Sequence, residues 1–197
     1  MKRVLVYCGA NLGSDPAFKA AAIEVGSALA KQGIGLVYGG GGVGLMGVVA
    51  NAALDAGGEV IGVIPEALKA LEVEHRSLTD MHIVPDMHSR KAMMLGLADA
   101  VIALPGGFGT MDELFEALTW SQIGYHRKLC GLLNVNGYYD HLIRWLEHSV
   151  ASGLVRDVNL ELLVHGTSVD LMIEDLRNKP FPFARKWISP TELDLKV

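Results

Sequence analysis

Three segments of this chain carry residue types whose spacing can do chemistry. The first reads Pro105-Gly106-Gly107-Phe108-Gly109-Thr110-Met111-Asp112-Glu113 and directly follows the apolar run Val101-Ile102-Ala103-Leu104. A glycine-rich turn that opens a helix offers backbone N–H groups to an anion, and Thr110 adds a hydroxyl donor. No Gly-Lys-Ser/Thr follows, so this is not a P-loop and an ATPase is not expected. Thr110 and Glu113 also have the Thr-x-x-Glu spacing of a capping box, which satisfies a helix's own orphan N–H groups without any ligand. The second segment, Asp86-Met87-His88-Ser89-Arg90-Lys91, opens the preceding helix. The planar guanidinium of Arg90 suits an oxyanion held bidentately, whereas Lys91 fits either an anion contact or a solvated helix start. The third is Gly39-Gly40-Gly41-Gly42-Val43-Gly44-Leu45-Met46-Gly47, within which residues 42–47 satisfy G-x-G-x-x-G. A dinucleotide fingerprint normally follows the first strand and needs an acidic residue about 20 positions on. Glu66 is the only candidate there, directly behind Pro65, so a nicotinamide cofactor is disfavoured. These glycines instead let backbone approach an anion, pack a helix on the sheet, or make a tight turn with no ligand.

Short apolar, β-branched runs alternate with longer segments of helical period, the rhythm of a parallel sheet covered on both faces. Strands are expected over 3–7, 35–38, 60–64, 81–84, 100–104, 129–133 and, weakly, 162–165. Helices are expected over 17–31, 45–56, 88–98, 111–123, 138–149 and 168–177. Pro16 behind Asp15 marks the first helix start, and Gly33 its end. The fold class is α/β, one doubly wound Rossmann-like domain over 1–179 with a mostly parallel sheet of about seven strands. An irregular tail over 180–197, with Pro180, Pro182 and Pro190, is expected to follow. In such sheets ligands bind beyond the carboxyl ends of the strands, near the point where strand order reverses. The loops that follow strands are where all three segments fall.

Composition narrows the function. The chain has 197 residues, 50% hydrophobic and 20% charged, enough to bury a core in one domain. A formal net charge of −5 with interspersed signs gives no field for a polyanion, so nucleic acid is not expected as a partner, while a local site for a small anion remains open. Two cysteines, Cys8 and Cys130, lie in apolar runs and read as buried thiols of a reducing cytoplasm. The apolar start is too short for a signal peptide, and no stretch approaches the roughly 18 apolar residues of a membrane span. His82, His126, His141, His148 and His165 are scattered without metal-ligand spacing, His88 has no assigned role, and no metal is expected. Met93, Met94, Leu95 and Leu97 read as core or subunit packing rather than a cofactor box.

The combination of Pro105 to Thr110 with Glu113, the Met87-His88-Ser89-Arg90-Lys91 stretch, and the Cys8-Gly9 and Gly39-Gly40 loops resembles the LONELY GUY family. Its members are cytokinin riboside 5′-monophosphate phosphoribohydrolases, often labelled lysine decarboxylases. The similarity runs through Leu132-Leu133-Asn134-Val135-Asn136-Gly137-Tyr138-Tyr139 and leaves out only the tail. Nothing marks the Schiff-base lysine that a pyridoxal phosphate decarboxylase would need. The resemblance implies hydrolysis of the N-glycosidic bond of an adenosine 5′-monophosphate, often N6-substituted, with no cofactor. It implies Arg90 and Glu113 as the catalytic pair. It implies phosphate contacts from Gly106, Gly107, Gly109 and Thr110 and substrate contacts from Glu72 and Thr119; Phe108, Lys91 and Asp112 join them as candidate contacts, and Gly39, Gly40, Gly41, Gly42 and Gly44 as a candidate nucleotide loop. Asp112 stands where many members have Glu, and Ala10 where many have Ser, which alters a minor polar contact at most. A homodimer with sites near the interface is implied as well.

Cleaving the C1′–N9 bond builds positive charge on the ribose, so the reaction calls for a carboxylate near C1′ and a water to trap the cation. A helix N-terminus favours a carboxylate in its ionised form, which suits Glu113 to that role, with Arg90 ordering the carboxylate and the ribose or phosphate. The alternatives are a non-catalytic nucleotide-binding or molybdenum-cofactor-binding module and, behind it, an NAD(P)-dependent oxidoreductase. Possession of both Arg90 and Glu113 argues against a carrier.

Overall fold

The computed structural model describes residues 1–69 and 73–182, so Glu72 and most of the expected tail lie outside the described residues. Seven strands, β1 (Arg3–Tyr7), β2 (Gly35–Tyr38), β3 (Val60–Pro65), β4 (Asp80–Val84), β5 (Ala100–Ala103), β6 (Cys130–Leu133) and β7 (Leu163–Gly166), form one sheet in the order β4-β3-β2-β1-β5-β6-β7. Every pairing is parallel, from Val4 beside both Leu36 and Ala100 at the centre to Leu132 beside His165 near one edge.

A parallel sheet must be covered on both faces, and residue alternation along the strands supplies two apolar faces. Val4, Val6, Leu36 and Tyr38 pack under α1 (Pro16–Lys31), α2 (Gly44–Asp55) and α7 (Val169–Asn178). Leu5, Tyr7, Val37, Val101 and Ala103 pack under α3 (Met87–Leu97), α4 (Phe108–Ile123) and α5 (Asp140–Ala151). Asp15 caps α1 by accepting from the Ala17 N–H at 2.8 Å, with Pro16 as the first helical residue. Among the described residues, no helix is long and apolar enough to cross a membrane.

From β1 the chain steps outward to β4, then α3 returns it to β5 on the other side of β1. The strand order therefore reverses between β1 and β5, and the loops leaving their carboxyl ends are brought together. Leu104 N–H donates to the Tyr7 carbonyl at 2.9 Å, Gly9 N–H to Pro105 at 3.1 Å, and Leu45 N–H to Gly9 at 3.1 Å.

Most element ends fall within one residue of expectation, with two informative exceptions. Helix α4 starts at Phe108, three residues ahead of the expected 111. Helix α5 starts at Asp140 rather than 138, because a 3-10 turn at Val135–Gly137, with Asn136 at φ +49°, intervenes. A short helix α6 (Asp157–Leu160) and a 3-10 turn at Glu66–Leu68 have no counterpart among the expected elements.

Candidate active site

A cavity of about 470 Å³ opens at the reversal point. It is walled by the loop after β1 (Cys8 to Gly13), by Pro105 to Thr110 with Asp112 and Glu113, and by Arg90, Phe18, Leu45, Met46, Leu68, Met87 and Tyr138. Its size suits a small organic ligand, and its wall is apolar with few polar groups, the usual balance of a ligand site.

Arg90 enters from the first turn of α3, which Asp86 caps by accepting from Ser89 N–H at 2.8 Å. That hydrogen bond holds the Asp86 carboxyl below its ordinary range. Arg90 as a whole is only 4% exposed. Burying a charge requires partners, and backbone supplies them: Nε donates to Val63 O at 3.1 Å and Nη2 to Gly39 O at 2.6 Å. A Cβ on Gly39 would collide with Nη2 and stand 3.3 Å from Cζ. Glycine at position 39 thus makes room for an arginine from another element.

The rest of that glycine loop is built into the scaffold. Gly40 O accepts from His75 N–H at 3.0 Å, Gly42 N–H donates to Val73 O at 2.7 Å, and Gly41 bridges Glu74. Gly44, at φ +62°, leaves no space for a Cβ against the Ala10 carbonyl. The loop reaches the cavity through Leu45 and Met46, while Gly39, Gly40, Gly41, Gly42 and Gly44 are not on its wall.

Helix α4 differs from the capping-box expectation. Its N-cap is Gly107, which has no side chain to offer, and the first intrahelical bond runs from Met111 N–H to Gly107 O at 3.1 Å. Thr110 therefore sits inside the first turn, not at the cap position. The N–H groups of Phe108, Gly109 and Thr110 precede that first bond and so have no backbone acceptor within the helix. Positions 107 and 109 face open space, and Phe108 is 98% exposed. Thr110 is buried, its hydroxyl packed against Gly106.

One turn further on, Glu113 is half-buried on the cavity wall. Burial, followed by the charge of Glu113, drives the Tyr7 phenol well above its ordinary value, and the same two causes in the same order raise the Cys8 thiol. Glu113 shares the cavity wall with Cys8, just after the end of β1, and neither Tyr7 nor Cys8 ionises near neutral pH.

Lys91 is placed elsewhere than expected. Its ammonium lies 3.1 Å from both Asp112 and Glu116 on α4, with 9% of the side chain exposed. Burial disfavours its charge, but hydrogen bonds to the two carboxylates outweigh that and raise its pKa. Lys91 clamps α3 to α4 and is not on the cavity wall. Thr119 is exposed in a shallow depression with Met111, Phe115, Glu116 and Trp120, which shares only Asp112 with the cavity. Glu72 lies outside the described residues. The structure thus brings Arg90, Glu113, Asp112 and the 106–110 loop together and leaves Lys91, Thr119 and the 39–44 glycines off the wall. Asn11, Leu12, Phe18, Leu68 and Tyr138 were not singled out from sequence. For residues 11 and 12, their place in the loop after β1 is the signal that could have found them. Among the described residues, no His, Cys, Asp and Glu cluster could hold a metal.

Residues 46–176 match a family model described as "Possible lysine decarboxylase". Over 155 residues the chain is 52% identical to the cytokinin riboside 5′-monophosphate phosphoribohydrolase of Rhodococcoides fascians, covering 78% of each chain. Over 175 residues it is 43% identical to a protein of the same name from Arabidopsis thaliana, covering 89% of this chain and 81% of that one. Among solved structures, the Moco carrier protein of Chlamydomonas reinhardtii superposes with a TM-score of 0.68 at 19% identity, over 91% of this chain and 99% of that one, a likeness of fold. With the family model spanning most of the chain and relatives this similar over most of their own length, the chain belongs to the LONELY GUY family, whose model carries the lysine decarboxylase description.

Proposed function

We propose that this protein hydrolyses the N-glycosidic bond of adenosine 5′-monophosphate or its N6-substituted, cytokinin-type derivatives, giving the free base and ribose 5-phosphate. The observation that carries the proposal is the meeting of Arg90, Glu113 and the uncapped first turn of α4 on one cavity. The relatives at 52% and 43% identity, named for this activity, support it. The phosphate sits at the N–H groups of residues 108–110, where the helix dipole favours an anion. Phosphate binding then supplies energy remote from the reacting bond and holds C1′ in place. As the C1′–N9 bond breaks, its electron pair leaves with the base and the ribose becomes cationic. The Glu113 carboxylate stabilises that cation and orients the water whose oxygen bonds to C1′, and the water's proton is released for the departing base. Arg90, fixed by two backbone carbonyls, orders the carboxylate and the sugar phosphate.

The apolar wall of Leu12, Phe18, Leu45, Met46 and Leu68 supports binding of a purine and of an apolar N6 substituent. The half-exposed Trp145, edge-on to Phe115 at 5.9 Å, and the depression beside Thr119 support a homodimer through this face, next to the site. Light scattering measures that state. The buried free thiols Cys8 and Cys130 support a reducing, cytoplasmic setting.

Chromatography for free base, after incubation with AMP, isopentenyladenosine monophosphate and the matching nucleosides, tests the activity. Base is expected from the nucleotides and not from the nucleosides. Glu113→Gln is expected to keep the fold, with an unchanged melting temperature, and to lose about 10²–10³-fold in kcat, the scale of removing one electrostatic stabiliser. Undiminished turnover in that variant, or binding of nucleotide by wild type without any release, refutes the assignment.

A further inference from the structure

The sequence motifs leave Tyr138 without a task, yet it stands on the cavity wall with its hydroxyl donating to Gly106 O at 2.7 Å. That carbonyl belongs to the peptide unit joining Gly106 to Gly107, immediately before the first turn of α4. Two glycines flank this unit, so its plane can rotate at small steric cost. A peptide is planar and trans, so its C=O and N–H point in opposite directions. Fixing the Gly106 oxygen toward Tyr138 therefore fixes where the Gly107 N–H points. It also engages a carbonyl that would otherwise repel an anion at the rim of the cavity. Tyr138, 44% exposed, is braced by two rings: it meets Phe18 edge-on at 5.3 Å and Tyr139 at 4.8 Å. Its backbone is anchored by the 135–137 turn, where Asn136 donates to the Asp15 carboxylate at 2.9 Å.

We propose that Tyr138 is a positioning residue for the phosphate. Its hydroxyl locks the Gly106–Gly107 peptide in the orientation that leaves the amides of the α4 N-terminus ready for an anion. This rests on the proposed nucleotide hydrolysis and deepens it. Tyr138 acts through the loop, and its hydroxyl proton is committed to Gly106. Tyr139 supplies an internal comparison, since it makes an equally short bond to Leu104 O, at the buried end of β5 and not at the anion loop.

The test is calorimetric titration of ribose 5-phosphate and, separately, adenine into wild type, Tyr138→Phe and Tyr139→Phe, with melting temperatures and the steady-state kinetics of AMP hydrolysis. In Tyr138→Phe the Kd for ribose 5-phosphate is expected to rise about tenfold, the scale of one hydrogen bond, with adenine affinity and melting temperature unchanged. The KM for AMP rises by a similar factor while kcat stays within about twofold. Tyr139→Phe melts lower but keeps its ribose 5-phosphate affinity. Unchanged ribose 5-phosphate affinity in Tyr138→Phe, equal weakening of both ligands, or equal weakening in both variants overturns the positioning role. Failure of wild type to bind ribose 5-phosphate at all overturns the nucleotide assignment along with it, whereas active wild type with an indifferent Tyr138→Phe overturns only the inference.

Discussion

Gly39→Ala tests whether the arginine of this site is placed by the scaffold. The position has no left-handed backbone requirement, so alanine fits its backbone and the effect comes from one added methyl group. That methyl overlaps Arg90 Nη2 and stands 3.3 Å from both Arg90 Cζ and the Met46 sulfur. Restoring van der Waals separation requires the guanidinium to withdraw by about 1 Å. Withdrawal breaks the 2.6 Å bond to Gly39 O and strains the 3.1 Å bond to Val63 O. Losing one charge-assisted hydrogen bond in a buried setting costs about 1.5–3 kcal/mol. The lower backbone entropy of the unfolded alanine chain returns about 0.4–1 kcal/mol. A net loss of about 1–2 kcal/mol lowers the melting temperature by about 2–8 °C in a chain of this size. Catalysis is hit harder in proportion, because a misplacement of about 1 Å at a reacting centre costs about 10²-fold. The assay pairs a thermal melt with kcat/KM for base release from AMP, measured well below the melting temperature. A Gly39→Ala variant within threefold of wild type in kcat/KM refutes the view that the glycine loop serves the chemistry by seating Arg90.

Two further outcomes separate the scaffold from the ligand contacts. Lys91→Met is expected to lower the unfolding free energy in urea by about 1–3 kcal/mol, because it leaves Asp112 and Glu116 uncompensated, and Lys91→Arg to recover most of it. Unchanged stability together with lost ribose 5-phosphate affinity would make Lys91 a phosphate ligand instead. Burial, aided by the nearby Lys128 charge, pushes the His126 imidazole from its ordinary 6.5 down to about 4, so protonation favours the unfolded state. The stability it contributes is whole above about pH 6.5 and is lost as pH falls toward 4, and melts across that window are expected to be flatter for His126→Gln than for wild type.

The strands were legible because a sheet buried on both faces writes itself as unbroken apolar runs: Gly35–Tyr38 and Arg3–Tyr7 match expectation residue for residue. The start of α4 was not. The Thr110 to Glu113 spacing is that of a capping box, and only the backbone shows that Gly107 opens the helix three residues earlier. Arg90 and Glu113 were legible as chemistry because each sits in the first turns of a helix that follows a strand on the predicted winding. The tasks of Lys91 and of the 39–44 glycines were hidden for one shared reason. Each depends on a partner that no local period brings near: Asp112 lies 21 residues from Lys91, and Arg90 lies 51 residues from Gly39. Tyr138 was hidden in the same way, since its carbonyl partner is 32 residues upstream.

The fold by itself does not select the reaction. The Moco carrier protein of Chlamydomonas reinhardtii shares this architecture at a TM-score of 0.68, so the reversal point and a helix N-terminus beside it are common ground. Hydrolysis of a glycosidic bond asks for something more, namely charges already standing where a cation will form. On the proposed assignment Glu113 meets that demand with Arg90 ordering it, and both are held from outside the cavity. Arg90 is fixed by Val63 and Gly39, which belong to β3 and the loop after β2. Glu113 rides on a helix whose neighbouring carboxylates, Asp112 and Glu116, are tied to Lys91 of α3. Neither arrangement waits for the ligand, so little binding energy goes into ordering the site, and the phosphate's contribution is left for holding C1′ against the bond that breaks. A carrier gains nothing from that preorganisation, because affinity for a ground state does not require a carboxylate fixed beside a developing cation.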